Sequence, residues 1–110
     1  MANKPNAEIV DALYAVIESR RGADPDSSYT AQLLARGTGK IAEKVGEEAI
    51  ESIVAALSEG PDALAAESAD LIYHLCVLCA DAGVRPEDVW AKLAERQSMS
   101  GLTEKANRKS

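Results

Sequence analysis

Glu47-Glu48-Ala49-Ile50-Glu51 and Glu67-Ser68-Ala69-Asp70 are the stretches on which the reading of this chain turns. Both lie in helical patterns, and both hold carboxylates three apart, Glu48 with Glu51 and Glu67 with Asp70. Residues three or four apart share a helix face. Each helix therefore offers a pair of carboxylates on one side. Two such helices packed together can close four oxygen donors around one hard cation. Mg²⁺ takes oxygen ligands in an octahedron that water and substrate phosphate complete. Glu48, Glu51, Glu67 and Asp70 are the candidate metal ligands. A solvated acidic face has the same spacing, and spacing alone does not separate the two.

The second stretch carries more information. At about 100° per residue, Leu64 to Ala82 places apolar side chains over most of the helix circumference. Glu67, Asp70, His74 and Asp81 fall in one wedge of roughly 60°. A helix apolar nearly all round is a buried one, and buried carboxylates need partners. The same apolar excess exceeds what a small bundle hides, so a second copy is expected to cover it, most simply in a two-fold homodimer.

Working outward, helical periodicity recurs along the chain and no strand pattern appears. The spacing predicts helices over Ala7 to Arg20, Tyr29 to Arg36, Lys40 to Glu59 and Pro61 to Ala82, with another opening at Pro86. Asn6 is the expected cap of the first, and Ser28 or Thr30 of the second. On the third, Ile41, Val45, Ile50, Ile53, Val54 and Leu57 form an apolar arc. Lys40, Lys44, Glu47, Glu48 and Glu51 take the other side. Gly46 inside that helix costs up to about 1 kcal/mol relative to Ala, which invites a close neighbour as its reason. On the last helix Val89, Trp90, Leu93 and Ala94 are expected to face inward. The expectation is an all-α bundle of about five helices whose two long central members carry the acidic motifs.

Composition bounds the rest. A chain of 110 residues suits one domain over 1–110, with 97–110 expected as a flexible tail. No Phe, one Trp and three Tyr leave an aliphatic, alanine-rich core, which favours helix. No long apolar run and no signal-peptide core are read, so a cytoplasmic protein without a membrane span is expected. Cys76 and Cys79 read as reduced core thiols, since zinc would need two more ligands and His74 is the one histidine. A net charge of −6 argues against nucleic-acid binding. It also means that a phosphorylated substrate would require a divalent ion.

Ser28-Tyr29-Thr30-Ala31-Gln32-Leu33-Leu34, Gly37, Lys40-Ile41, Lys44-Val45-Gly46-Glu47-Glu48-Ala49-x-Glu51 and Glu67-x-Ala69-Asp70-Leu71-x-Tyr73-His74 closely resemble the phosphoribosyl-ATP pyrophosphohydrolase family. So does the tail Ser100-Gly101-Leu102-x-Glu104-Lys105-Ala106-x-Arg108. The resemblance spans about Leu13 to Arg108. It is more specific than the Glu-Glu-x-x-Glu…Glu-x-x-Asp pattern of the wider MazG-like all-α NTP pyrophosphatases. It implies a Mg²⁺-dependent, usually dimeric, all-helical enzyme of histidine biosynthesis. Such an enzyme hydrolyses the α–β phosphoanhydride of 1-(5-phosphoribosyl)-ATP to 1-(5-phosphoribosyl)-AMP and pyrophosphate.

On that reading Glu48, Glu51, Glu67 and Asp70 hold the ion. Glu47 and Glu48 are the candidate catalytic acids, although which of the five carboxylates takes the water's proton stays open. Lys40 and Lys44 are expected on substrate phosphates, against the bland alternative of ion pairs along the helix. Tyr29, Thr30 and His74 are further substrate candidates. For His74 the competing role is to orient Asp70. Lys105 and Arg108 follow from the tail resemblance.

Four rival readings are weighed against it. A housecleaning NTP or dNTP pyrophosphatase keeps the fold and changes the substrate. A histidine phosphotransfer module needs an exposed His followed by small and basic residues, whereas His74 is followed by Leu75-Cys76-Val77-Leu78. A di-iron bundle needs paired Glu-x-x-His motifs, which one His cannot supply. A dimerisation bundle without chemistry is the remaining alternative.

Overall fold

The computed structural model describes residues 5–97. It contains five helices, α1 (Glu8–Ser19), α2 (Tyr29–Arg36), α3 (Thr38–Ser58), α4 (Pro61–Ala82) and α5 (Pro86–Gln97). The described residues include no strand. The expected tail, with Lys105 and Arg108, lies outside the described residues apart from Gln97.

Local chemistry accounts for the boundaries. Ala7, without a side-chain cap bond, holds the N-cap position of α1 in place of the expected Asn6, whose Oδ1 accepts from the Glu8 amide at 2.9 Å one residue earlier. Ser28 Oγ accepts from the Ala31 amide at 3.1 Å and caps α2, which leaves Thr30 for another partner. Gly37 has φ 92°, a conformation that costs glycine little, and it ends α2 and starts α3 together. The third helix therefore begins at Thr38, two residues before the predicted Lys40. Pro61 opens α4 at a position where its missing N–H is not needed.

The α3–α4 hairpin is the frame, with α1 against α4, α2 across both long helices and α5 against α1. The core is Ile17, Leu33, Ile41, Cys76, Val77 and Ala80. By length and composition α4 is apolar enough to cross a membrane. In this fold it is instead the central helix, in contact with α1, α2 and α3.

On two helices the facing is not the one that side-chain polarity alone suggests. On α3 the buried line is Ile41, Glu48 and Ala55, spaced by seven, so Glu48 points inward. Ile50 (63% exposed), Ile53, Val54 and Leu57 (81%) lie on the open side. The reason is geometric: α4 covers only one stripe of α3, and that stripe carries the acid. On α5, Val89, Trp90, Leu93 and Ala94 are exposed rather than inward. That helix sits at the periphery, where Trp90 Nε1 donates to Asp11 Oδ1 at 3.3 Å. A cavity of about 240 Å³ lies beneath it, lined by Tyr14, Cys76, Cys79, Pro86, Val89 and Trp90. Gly46 has no neighbour within 4 Å of where a Cβ would sit, so the expected close approach is not seen among the described residues.

Candidate metal centre

Glu59 and Gly60 join the two long helices, and the turn sets the register. Glu51 and Glu67 each lie eight residues from Glu59, and Glu48 and Asp70 each eleven. Antiparallel helices rise equally on both sides of such a turn, so each acid on α3 meets its counterpart on α4 at the same height. Ile41 and Val77, each eighteen residues away, are both fully buried a few turns higher. The apolar layer thus fixes the register and the acids follow from it.

Ligand atoms of Glu48, Glu67 and Asp70 all lie within 4.8 Å of one another. Glu51 neighbours two of them and shares hydrogen bonds with Glu48 and Glu67. The four candidate ligands thus converge, with three in a tight set and Glu51 at its edge. Glu48 is 9% exposed, and its Oε2 is buried without a hydrogen-bond partner. Burial, the hydrogen bond from Glu51 and the nearby charge of Glu51 push the Glu48 carboxyl up from its ordinary value. The bond with Glu51, then burial and the same crowd of charges, push Glu67 up as well. An all-oxygen set that resists ionisation and leaves a buried oxygen orphaned suits a hard divalent cation.

Around this cluster the other candidates divide. Glu47 is exposed and lies outside the tight set, 3.5 Å from Lys44 Nζ. Lys40 is 3.5 Å from Glu43, so both lysines make ion pairs along α3. Tyr29 first, and Glu47 next, hold the Lys44 ammonium above its usual range, which keeps it charged.

His74 is buried. Its Nδ1 is 2.8 Å from the Asp70 carbonyl, which can only accept, so Nδ1 carries the proton. Nε2 forms a hydrogen bond with the Tyr29 hydroxyl at 3.2 Å. These contacts put His74 between Asp70's backbone and Tyr29, and leave Tyr29 half-exposed beside it.

Tyr73 belongs to the motif that carries the family resemblance and to the apolar surface of α4, but the sequence gives it no role of its own. Its hydroxyl meets Thr30 Oγ1 at 2.5 Å. The signal available was general: a buried tyrosine hydroxyl seeks a partner. Asp81, in the same predicted wedge, serves the other end of the hairpin, where it accepts from Thr38 Oγ1 at 2.5 Å.

The sequence profile of the phosphoribosyl-ATP pyrophosphohydrolase family matches residues 10–97. The chain is 61% identical over 103 residues to a phosphoribosyl-ATP pyrophosphatase of Paramagnetospirillum magneticum, covering 94% of each. It is 56% identical to one from Azospirillum brasilense, covering 98% of this chain and 97% of the relative. With one from Rhodospirillum rubrum the identity is 62%, over 96% of this chain and 90% of the relative.

Proposed function

The chain belongs to the phosphoribosyl-ATP pyrophosphohydrolase family, and from that premise we infer that it hydrolyses 1-(5-phosphoribosyl)-ATP to 1-(5-phosphoribosyl)-AMP and pyrophosphate, the second step of histidine biosynthesis. The observation that carries the site assignment is the convergence of Glu48, Glu67 and Asp70 around a buried, unpartnered carboxylate oxygen.

These three acids, with Glu51 beside them, would hold Mg²⁺. When bound, the ion neutralises phosphate charge and polarises the scissile phosphoanhydride. Glu47 lies outside the tight set and is exposed, so it is the acid available to take the proton of the attacking water. Lys44, kept charged by Tyr29 and Glu47, offers its remaining N–H groups to substrate phosphate. Lys40 does the same from one turn earlier. Tyr29 presents a half-exposed ring to the nucleoside portion. For Lys105 and Arg108, outside the described residues, the tail resemblance alone supports a role in substrate binding.

The test of the reading is pyrophosphate release from phosphoribosyl-ATP with and without Mg²⁺, run beside a panel of NTPs and dNTPs. Strong preference for phosphoribosyl-ATP supports it. Equal turnover of free nucleotides favours a housecleaning role.

The open side of α3 supports a homodimer. Ile50, Ile53, Val54 and Leu57 form one exposed stripe at i, i+3, i+4 and i+7. Leu57→Asp is expected to shift the protein to a monomer in light scattering. An unchanged mass would remove this stripe from the interface. An ATP-derived substrate and two free thiols support a cytoplasmic setting.

A further inference from the structure

Two hydrogen bonds tie the first turn of α2 to α4 beside the carboxylates. Tyr29 bonds His74 at 3.2 Å and Thr30 bonds Tyr73 at 2.5 Å, consecutive residues on each helix. Three rings close the corner. Tyr73 stands edge-on to His74 with centroids 4.9 Å apart, and it stacks on Tyr29 at 6.3 Å. Of the four residues Tyr29 alone is exposed, while Thr30, Tyr73 and His74 are turned toward the protein. Thr30 therefore spends its hydroxyl on α4 rather than offering it to a ligand. His74 lies one helical turn beyond Asp70, which places the corner directly above the acidic cluster. Burial pushes the Tyr73 phenol up, so its hydroxyl keeps its proton at neutral pH.

We propose that Tyr73 and Thr30 are a positioning pair for this reaction: their bond fixes the start of α2 on α4 and so holds the Tyr29 ring at the rim of the carboxylate cluster, where the nucleoside part of the substrate docks. The proposal rests on the functional reading above and adds Tyr73 to it. Neither hydroxyl touches substrate. Their effect passes through Tyr29, so it falls on substrate binding and not on the ion or the chemical step.

The experiment compares Tyr73→Phe, Thr30→Val, Thr30→Ser and the double variant Tyr73→Phe/Thr30→Val by kcat and KM for phosphoribosyl-ATP at saturating Mg²⁺, with melting temperatures alongside. Each single variant should raise KM by about tenfold, the scale of one neutral hydrogen bond, with kcat within about twofold of the parent. The double variant should be no worse than either single one, because both remove the same bond. Thr30→Ser should restore KM. A lowered melting temperature with unchanged KM would overturn the proposal, since the pair would then be only structural. Multiplying KM effects in the double variant would overturn it too, because each hydroxyl would then have its own contact with substrate. Parental turnover of phosphoribosyl-ATP in the same series separates failure of the pair from failure of the functional reading.

Discussion

Glu48→Gln and Asp70→Asn should each lower turnover of phosphoribosyl-ATP by about a hundredfold to a thousandfold, the scale seen when one group that stabilises transition-state charge is lost. These two acids stand level across the hairpin, one on each helix, and each substitution keeps shape while removing an ionised oxygen. A ligand set of three closely spaced carboxylates loses a third of its formal charge in either case. Helicity should be unaffected. At Glu48 the neutral amide relieves a crowd of like charges from Glu51 and Asp70. Far-ultraviolet circular dichroism identical to the parent, with pyrophosphate release near background, is the expected pair of results. Parental activity in either variant would end the assignment of the cluster to metal.

The second large effect concerns stability, and it depends on pH and on the ion together. Glu48 and Glu67 carry folded-state pKa values above the ordinary 4.5. Below 4.5 both states are protonated and these groups contribute nothing. As pH rises from there through the raised values, the unfolded chain releases its protons first and the folded one binds more. Stability then falls with pH. The metal-free protein should therefore melt at progressively lower temperature across the window that opens at 4.5 and runs up through the raised values. Mg²⁺ requires the ionised carboxylates, so its binding strengthens over the same window and opposes the loss. At a hundredfold excess over its dissociation constant the ion contributes about 2.7 kcal/mol, on the order of 10 °C for a domain of this size. Calorimetric scans at several pH values, with Mg²⁺ or with NaCl of equal ionic strength, test this. A melting temperature that responds equally to both salts, or a Glu48→Gln variant that keeps the full Mg²⁺ response, would contradict it.

Helix number and limits were legible because glycine, proline and Ser28 punctuate the chain where backbone chemistry requires a stop or a cap. The pairing of carboxylates within each helix was legible for the same reason, since spacing of three defines a face. What periodicity did not reveal was which face of α3 turns inward. An apolar arc is normally read as the core side. Here Ile50, Ile53, Val54 and Leu57 are left open, and the packed line includes Glu48. Side-chain polarity alone does not distinguish an inner stripe from one kept for a second copy. The α5 residues Val89, Trp90 and Leu93 misled in the same way. Tyr73 was hidden by its company, one phenol within a long apolar run whose partner lies on another helix.

The two-residue link at Glu59 and Gly60 also limits what the chain can tolerate. One residue inserted between Glu51 and Glu67 would rotate one half of the site by about 100° and lift it by about 1.5 Å, with no chemical group altered. A whole turn added on one side alone would restore the angle and still stagger the acids. Length in that segment is therefore as much a part of the enzyme as any carboxylate, and grafting this centre onto another scaffold means copying an interval as well as a motif.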